Sequence, residues 1–79
     1  IKYPSLVVDV IDTFNGIQIT KVNNNIPLKE NDIIIKINNK EVEDSAHLKY
    51  EIYKYKIGKK IKVTYTRNDV EKETNIVLK

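Results

Sequence analysis

Residues 28–42 read Leu-Lys-Glu-Asn-Asp-Ile-Ile-Ile-Lys-Ile-Asn-Asn-Lys-Glu-Val, and no other stretch restricts the possible folds as much. Ile33, Ile34, Ile35 and Ile37 crowd one short run. β-Branched side chains lose rotamer freedom in a helix but pack well on a pleated surface, so this run is a strand. At period two, Ile33, Ile35 and Ile37 share one face, and Ile34 and Lys36 share the other. The expectation is a central strand with the first face buried and the second mostly wet. Asn31 and Asn39 stand where the chain must reverse on either side. Asparagine is the best substitute for glycine where a turn needs positive φ.

The flanking segments supply further elements. Residues 6–11, Leu-Val-Val-Asp-Val-Ile, form a strand by composition, with Leu6, Val8 and Val10 on one face. Residues 12–16 form a turn in which Gly16 supplies a left-handed residue before a strand over 17–22. Asn23-Asn24-Asn25-Ile26-Pro27 is a loop. Asp44 or Ser45 can cap a helix, since each offers an oxygen to an orphan N–H of the first turn. Leu48, Ile52 and Tyr55 then recur on one helical face, basic residues gather toward the end, and Gly58 closes the helix. Residues 59–67 alternate, with Ile61, Val63 and Tyr65 on one side. Asn68-Asp69 makes a hairpin turn, and residues 73–79 return with Thr74, Ile76 and Leu78 aligned.

Several function classes fit poorly. A chain of 79 residues without cysteine allows one domain, no disulfide framework and no thiolate metal site. No stretch of residues 1–79 reads as a signal peptide, and no apolar run approaches the ~18 residues of a membrane span. Because the chain starts at Ile1 and stops directly after an apolar strand, residues 1–79 are expected to be a single module cut from a longer protein. The net charge of +3 comes from 14 basic and 11 acidic residues spread along the length, which describes a solvated surface better than a nucleic-acid or anionic-lipid patch. The single histidine, His47, belongs to no Ser-His-Asp order and cannot fill a metal shell alone. The mixture of Tyr50, Tyr53, Lys54, Tyr55 and Lys56 lies on different faces of one helix rather than on a base-stacking platform. Partial ring burial with wet hydroxyls accounts for it. A non-catalytic module without cofactor or metal is expected.

With Asn31 and Asn39 standing for glycine, residues 28–42 closely resemble the "L-K-x-G-D-x-I-x-x-I-N-G-x-x-V" core of bacterial PDZ domains, above all those attached to HtrA-type envelope serine proteases. The second half is also similar to that family, in which a helix, a "G-x-x-V-x-V-x-Y-x-R-N-G" strand and a closing strand end the domain. The likeness covers residues 16–79 well and residues 1–15 weakly. It implies a PDZ-like α+β fold: a partial β-barrel or sandwich of five to six mostly antiparallel strands, with one main helix over an open end. The short helix that such domains commonly place after Pro27 is expected to be missing or reduced to a single turn.

The resemblance also implies a function. Extended polypeptide segments or C-terminal tails would add to a strand edge by β-augmentation, regulating or feeding an attached protease domain in the bacterial cell envelope. No nucleic acid and no membrane insertion are implied. Ser5, Leu6 and Val7 would form the carboxylate-receiving loop, Leu6, Val8 and Val10 the strand side, and Ser45, Lys49 and Ile52 the helix side, with Leu48 beneath. Val7 stands where the family pattern carries a small glycine; a valine resists positive φ, so a reshaped loop is expected there. An occluded groove serving as a structural or interdomain contact stays open as an alternative, as does a host such as a Lon-like protease, a membrane metalloprotease or a secretion component.

Overall fold

The computed structural model of the protein describes residues 8–22 and 26–79. In chain order the elements are β1 (Val8–Thr13), β2 (Gly16–Val22), β3 (Ile33–Ile37), β4 (Lys40–Glu41), α1 (Ser45–Tyr53), β5 (Lys60–Arg67) and β6 (Val70–Val77). The six strands form one sheet in the order β1-β2-β3-β5-β6, with β4 paired to β3 off that path. Every pairing among the described residues is antiparallel. This is the α+β architecture expected, an open antiparallel sheet with one helix.

The corners follow from local chemistry. Asn31 and Asn39 both take positive φ, 75° and 70°. So does Asn38, at 50°, which makes Asn38-Asn39 a two-residue hairpin turn of the type whose twist matches its strands. Asn38 does a second job. Its N–H donates to the Lys62 carbonyl and its Oδ1 accepts from the Lys62 N–H, both at 2.8 Å, extending the ladder toward β5 where the main chain has already turned. Asn68 and Asp69, at φ 53° and 63°, form the same kind of turn between β5 and β6. Gly16 has φ 131°, and a Cβ there would sit 2.9 Å from Ile33 Cγ2, so both backbone and space call for glycine. Because Asp69 carries a side chain in the left-handed region, Asp69→Gly is expected to stabilise the domain by about 0.5 kcal/mol and raise Tm by ~2–4 °C in a thermal scan. An unchanged or lower Tm would show that the hairpin does not strain this residue.

The simple alternation expected for β3 does not hold. Ile34 and Ile37 are both 0% exposed, while Ile33 and Ile35 are only half-buried. Ile34 opposes Tyr65 and Lys36 opposes Thr64, which leaves Ile35 as an extra residue. A bulge of this kind reverses the side-chain parity beyond it, so residues three apart point the same way. The freed Ile35 carbonyl accepts the Val42 N–H at 3.1 Å. Around Ile34 and Ile37 the core gathers Ile17, Ile19, Leu28, Val63, Ile76 and Leu78, with Leu48 and Ile52 covering it from the helix.

The helix is shorter than its periodicity suggests. Asp44 is the N-cap, its Oδ1 accepting the His47 N–H at 2.7 Å, and Ser45 is the first helical residue. The last turn ends at Tyr53 with Lys54 as C-cap and holds no basic residue, so Tyr55 and Lys56 fall beyond it. Gly58, at φ 91°, closes a later turn. Its N–H donates to the Leu78 carbonyl at 2.8 Å, and the Leu78 N–H donates to Lys59 at 2.9 Å, which pins the end of the chain instead of the helix.

Between Pro27 and β3 no helix forms. The segment is held to β2 by hydrogen bonds from the Asn31 N–H to the Ile19 carbonyl (2.8 Å) and from the Ile19 N–H to the Asp32 carbonyl (2.9 Å). Asp32, only 2% exposed, accepts two bonds from Arg67, Nε to Oδ1 at 2.9 Å and Nη2 to Oδ2 at 2.7 Å, and a third from the Lys29 N–H at 2.9 Å. Burial pushes its pKa up, but the Arg67 guanidinium and the Lys29 N–H outweigh that and hold it below the ordinary carboxylate value.

Candidate functional site

β1 is an edge strand, paired with β2 alone among the described residues. The pairing contains an irregularity that matters for the site. Asp9 opposes Lys21 and Val10 opposes Ile19, so the extra residue is Thr20 of β2, whose hydroxyl donates to the Asp9 carbonyl at 3.2 Å. Since the bulge lies on β2, alternation along β1 is unbroken. Val8, Val10 and Asp12 share one side of the strand, and Asp9 and Ile11 share the other. Val8 and Val10 are half-buried and pack against the core, whereas Asp9 and Ile11 are exposed.

α1 lies against β1 and β3. The candidate cleft lies between the edge of β1 and α1. Val8 and Val10 stand on its strand wall. On the helix, Ser45 is half-buried at the first position and Lys49 is exposed one turn later. Ile52 is 4% exposed and Leu48 3%, so both belong to the core, and Ile52 offers a cleft floor more than a wall. Ser5, Leu6 and Val7 lie outside the described residues, as do Asn23, Asn24 and Asn25.

One contact at this cleft has no local sequence signal. The Ser45 N–H donates to Asp12 Oδ1 at 2.6 Å, and the Ser45 hydroxyl donates to Asp12 Oδ2 at 3.0 Å. The carboxylate at the end of β1 thus supplements Asp44 as a cap for the first turn, meeting a donor the helix cannot satisfy itself. Read from the sequence, Asp12 is only a turn residue.

A second charged cluster sits on the helix away from Ser45. Glu51 is 4% exposed, 3.2 Å from Lys54 Nζ and 3.6 Å from His47 Nε2. Burial raises its pKa, yet Lys54, with Lys40 and His47 behind it, brings it below the usual value. His47 accepts the Glu43 N–H on Nδ1 at 3.4 Å and lies beside this buried carboxylate.

Chemically, the candidate cleft offers the outer main-chain N–H and C=O groups of a strand with one neighbour among the described residues, two half-buried valines and one exposed ammonium. An extended chain can add to such an edge, with main-chain bonds supplying affinity and flanking side chains supplying preference. No curated protein matches the chain. The family model of the PDZ domain matches residues 4–78, a span that includes most of the N-terminal segment where the motif likeness is weakest.

Proposed function

The chain belongs to the PDZ domain family and is a peptide-binding, protein-interaction module, and from that premise we propose that it captures extended segments or C-terminal tails by β-augmentation along β1. The observation that carries this reading is that β1 pairs with β2 alone among the described residues and lies against α1. Val8, Val10, Lys49 and the floor at Ile52 would contact the ligand, with Ser5, Leu6 and Val7 receiving its terminal carboxylate and Ser45 bounding the far end. Lys49 would favour acidic or C-terminal groups. A short edge with one or two apolar pockets contributes modestly, so binding on the order of micromolar, about −8 kcal/mol, is expected.

We read residues 1–79 as one domain of a longer chain. The motif likeness at residues 28–42 and 58–68 supports an HtrA-type serine protease of the bacterial envelope as host. A Ser-His-Asp domain preceding Ile1 in the parent sequence would bear that out, and a Lon-like, metalloprotease or secretion-component neighbour would replace it.

Titration of the 79-residue protein with a random C-terminal peptide library, followed by NMR, tests the binding reading. Saturable shifts confined to residues 5–12 and 45–52 are expected. Absence of any saturable shift at millimolar peptide would overturn it in favour of an occluded cleft used as a structural contact, a reading that the Asp12–Ser45 contact favours.

A further inference from the structure

We propose that Asp12 is a specificity-determining residue that limits how many ligand residues the cleft can hold, by tying the end of β1 to the start of α1. The inference rests on the peptide-binding reading above and deepens it. Its basis is a distance. The bonds from an aspartate Cα to its Oδ span at most about 3.6 Å, and the Ser45 nitrogen lies 2.6 Å from Asp12 Oδ1. The backbone of α1 therefore comes within about 6 Å of the backbone of β1 at this point. Seating a strand between two backbones takes two interstrand spacings, roughly 9.5 Å. An extended chain can lie beside β1 ahead of Asp12 but cannot pass between Asp12 and Ser45 while the contact holds.

The edge ahead of the contact is Val8, Asp9, Val10 and Ile11. At the antiparallel rise this is about 14 Å, room for about four ligand residues. Ligand residues beyond these must turn out into solvent, where they add no ladder bonds. The carboxylate holds both a main-chain and a side-chain donor of one residue, so the closure has two attachment points. Asparagine can keep both, because its Oδ1 accepts the N–H and its amide can donate to the hydroxyl oxygen.

A nested series of peptides from three to eight residues, taken from the tightest library binder and titrated by calorimetry, reads this out. For the unaltered protein, affinity should rise to about four or five residues and stay within about twofold thereafter. In Asp12→Ala it should keep rising to about six residues, since β1 ends at Thr13, by about fivefold for each further ladder bond. Asp12→Asn should restore the plateau. Ser45→Pro provides an independent opening: proline is favoured at the first helical position and removes the N–H and the hydroxyl together. The extended conformation of Asp44, φ −151° and ψ 175°, already suits a residue before proline. It too should move the plateau to about six residues, which keeps the test decisive if Asp12→Ala does not fold.

A steady rise through eight residues in the unaltered protein would overturn the proposal. So would an unchanged plateau in either opened variant, a loss of affinity equal at every length, or failure of Asp12→Asn to restore the plateau. No binding at any length, in any variant, would instead bring down the peptide-binding reading on which the proposal rests.

Discussion

Arg67→Met is expected to destabilise the domain severely at neutral pH and to reverse the sign of its pH dependence on the acid side. In the native protein the Asp32 carboxylate, 2% exposed, is held below its ordinary pKa by Arg67 and the Lys29 N–H against the opposing effect of burial. A carboxylate whose folded pKa lies below its unfolded value contributes stability in full above the unfolded value. It loses that contribution as pH falls through the folded one. The native protein should therefore weaken below about pH 4. Removing Arg67 leaves a buried charge with one neutral donor, at a cost of about 3–5 kcal/mol. Burial, the largest single influence, is then opposed by the Lys29 N–H and ammonium alone, and the folded pKa of Asp32 is expected to rise above the unfolded value. Protonation now relieves the fold, and the variant should regain stability as pH falls from 7 toward 4. Urea denaturation of both proteins at several pH values checks this, and parallel profiles would show that the pair does not bury its charge as described. The double variant Asp32→Leu with Arg67→Met should recover much of the loss, because an apolar pair leaves no buried charge uncompensated and only the part-buried Lys29 N–H loses its acceptor.

The second large effect is expected at Ile34. Truncation to alanine removes a fully buried side chain from the centre of the sheet and should cost about 3–4 kcal/mol. A domain of this size has roughly 4–12 kcal/mol in total, so Ile34→Ala would be near the limit of folding. Ile35→Ala, at the half-buried bulge position, should cost only about 1 kcal/mol. Simple alternation demands the opposite order, with Ile35 inside and Ile34 outside. Chemical denaturation of the two variants side by side decides it, and a greater loss at Ile35 would remove the bulge from the account.

Much of the fold was legible because its signals are local. Asn31, Asn39 and Asn68-Asp69 mark corners through the tolerance of short polar side chains for positive φ, and the β-branched runs between them can only be strands. Asp44 announces the helix start. The end of the helix was less legible: Gly58 is a strong breaker, yet the chain leaves the helix at Lys54, where the Gly58 turn bonds to Leu78 instead. That β1 would lie beside α1 was expected from the family resemblance, not from a local signal. The closure at Asp12 was not expected.

What the amino-acid order determined by itself is the set of elements and their corners, since each depends on the conformational preferences of a few neighbouring residues. The tertiary structure alone decided which isoleucines of β3 face inward, because that parity depends on how β5 pairs across a bulge. It also decided that Asp32 meets Arg67 across 35 residues and that Asp12 meets Ser45 across 33. Contacts at such separations come from chain packing, whose outcome no local preference encodes.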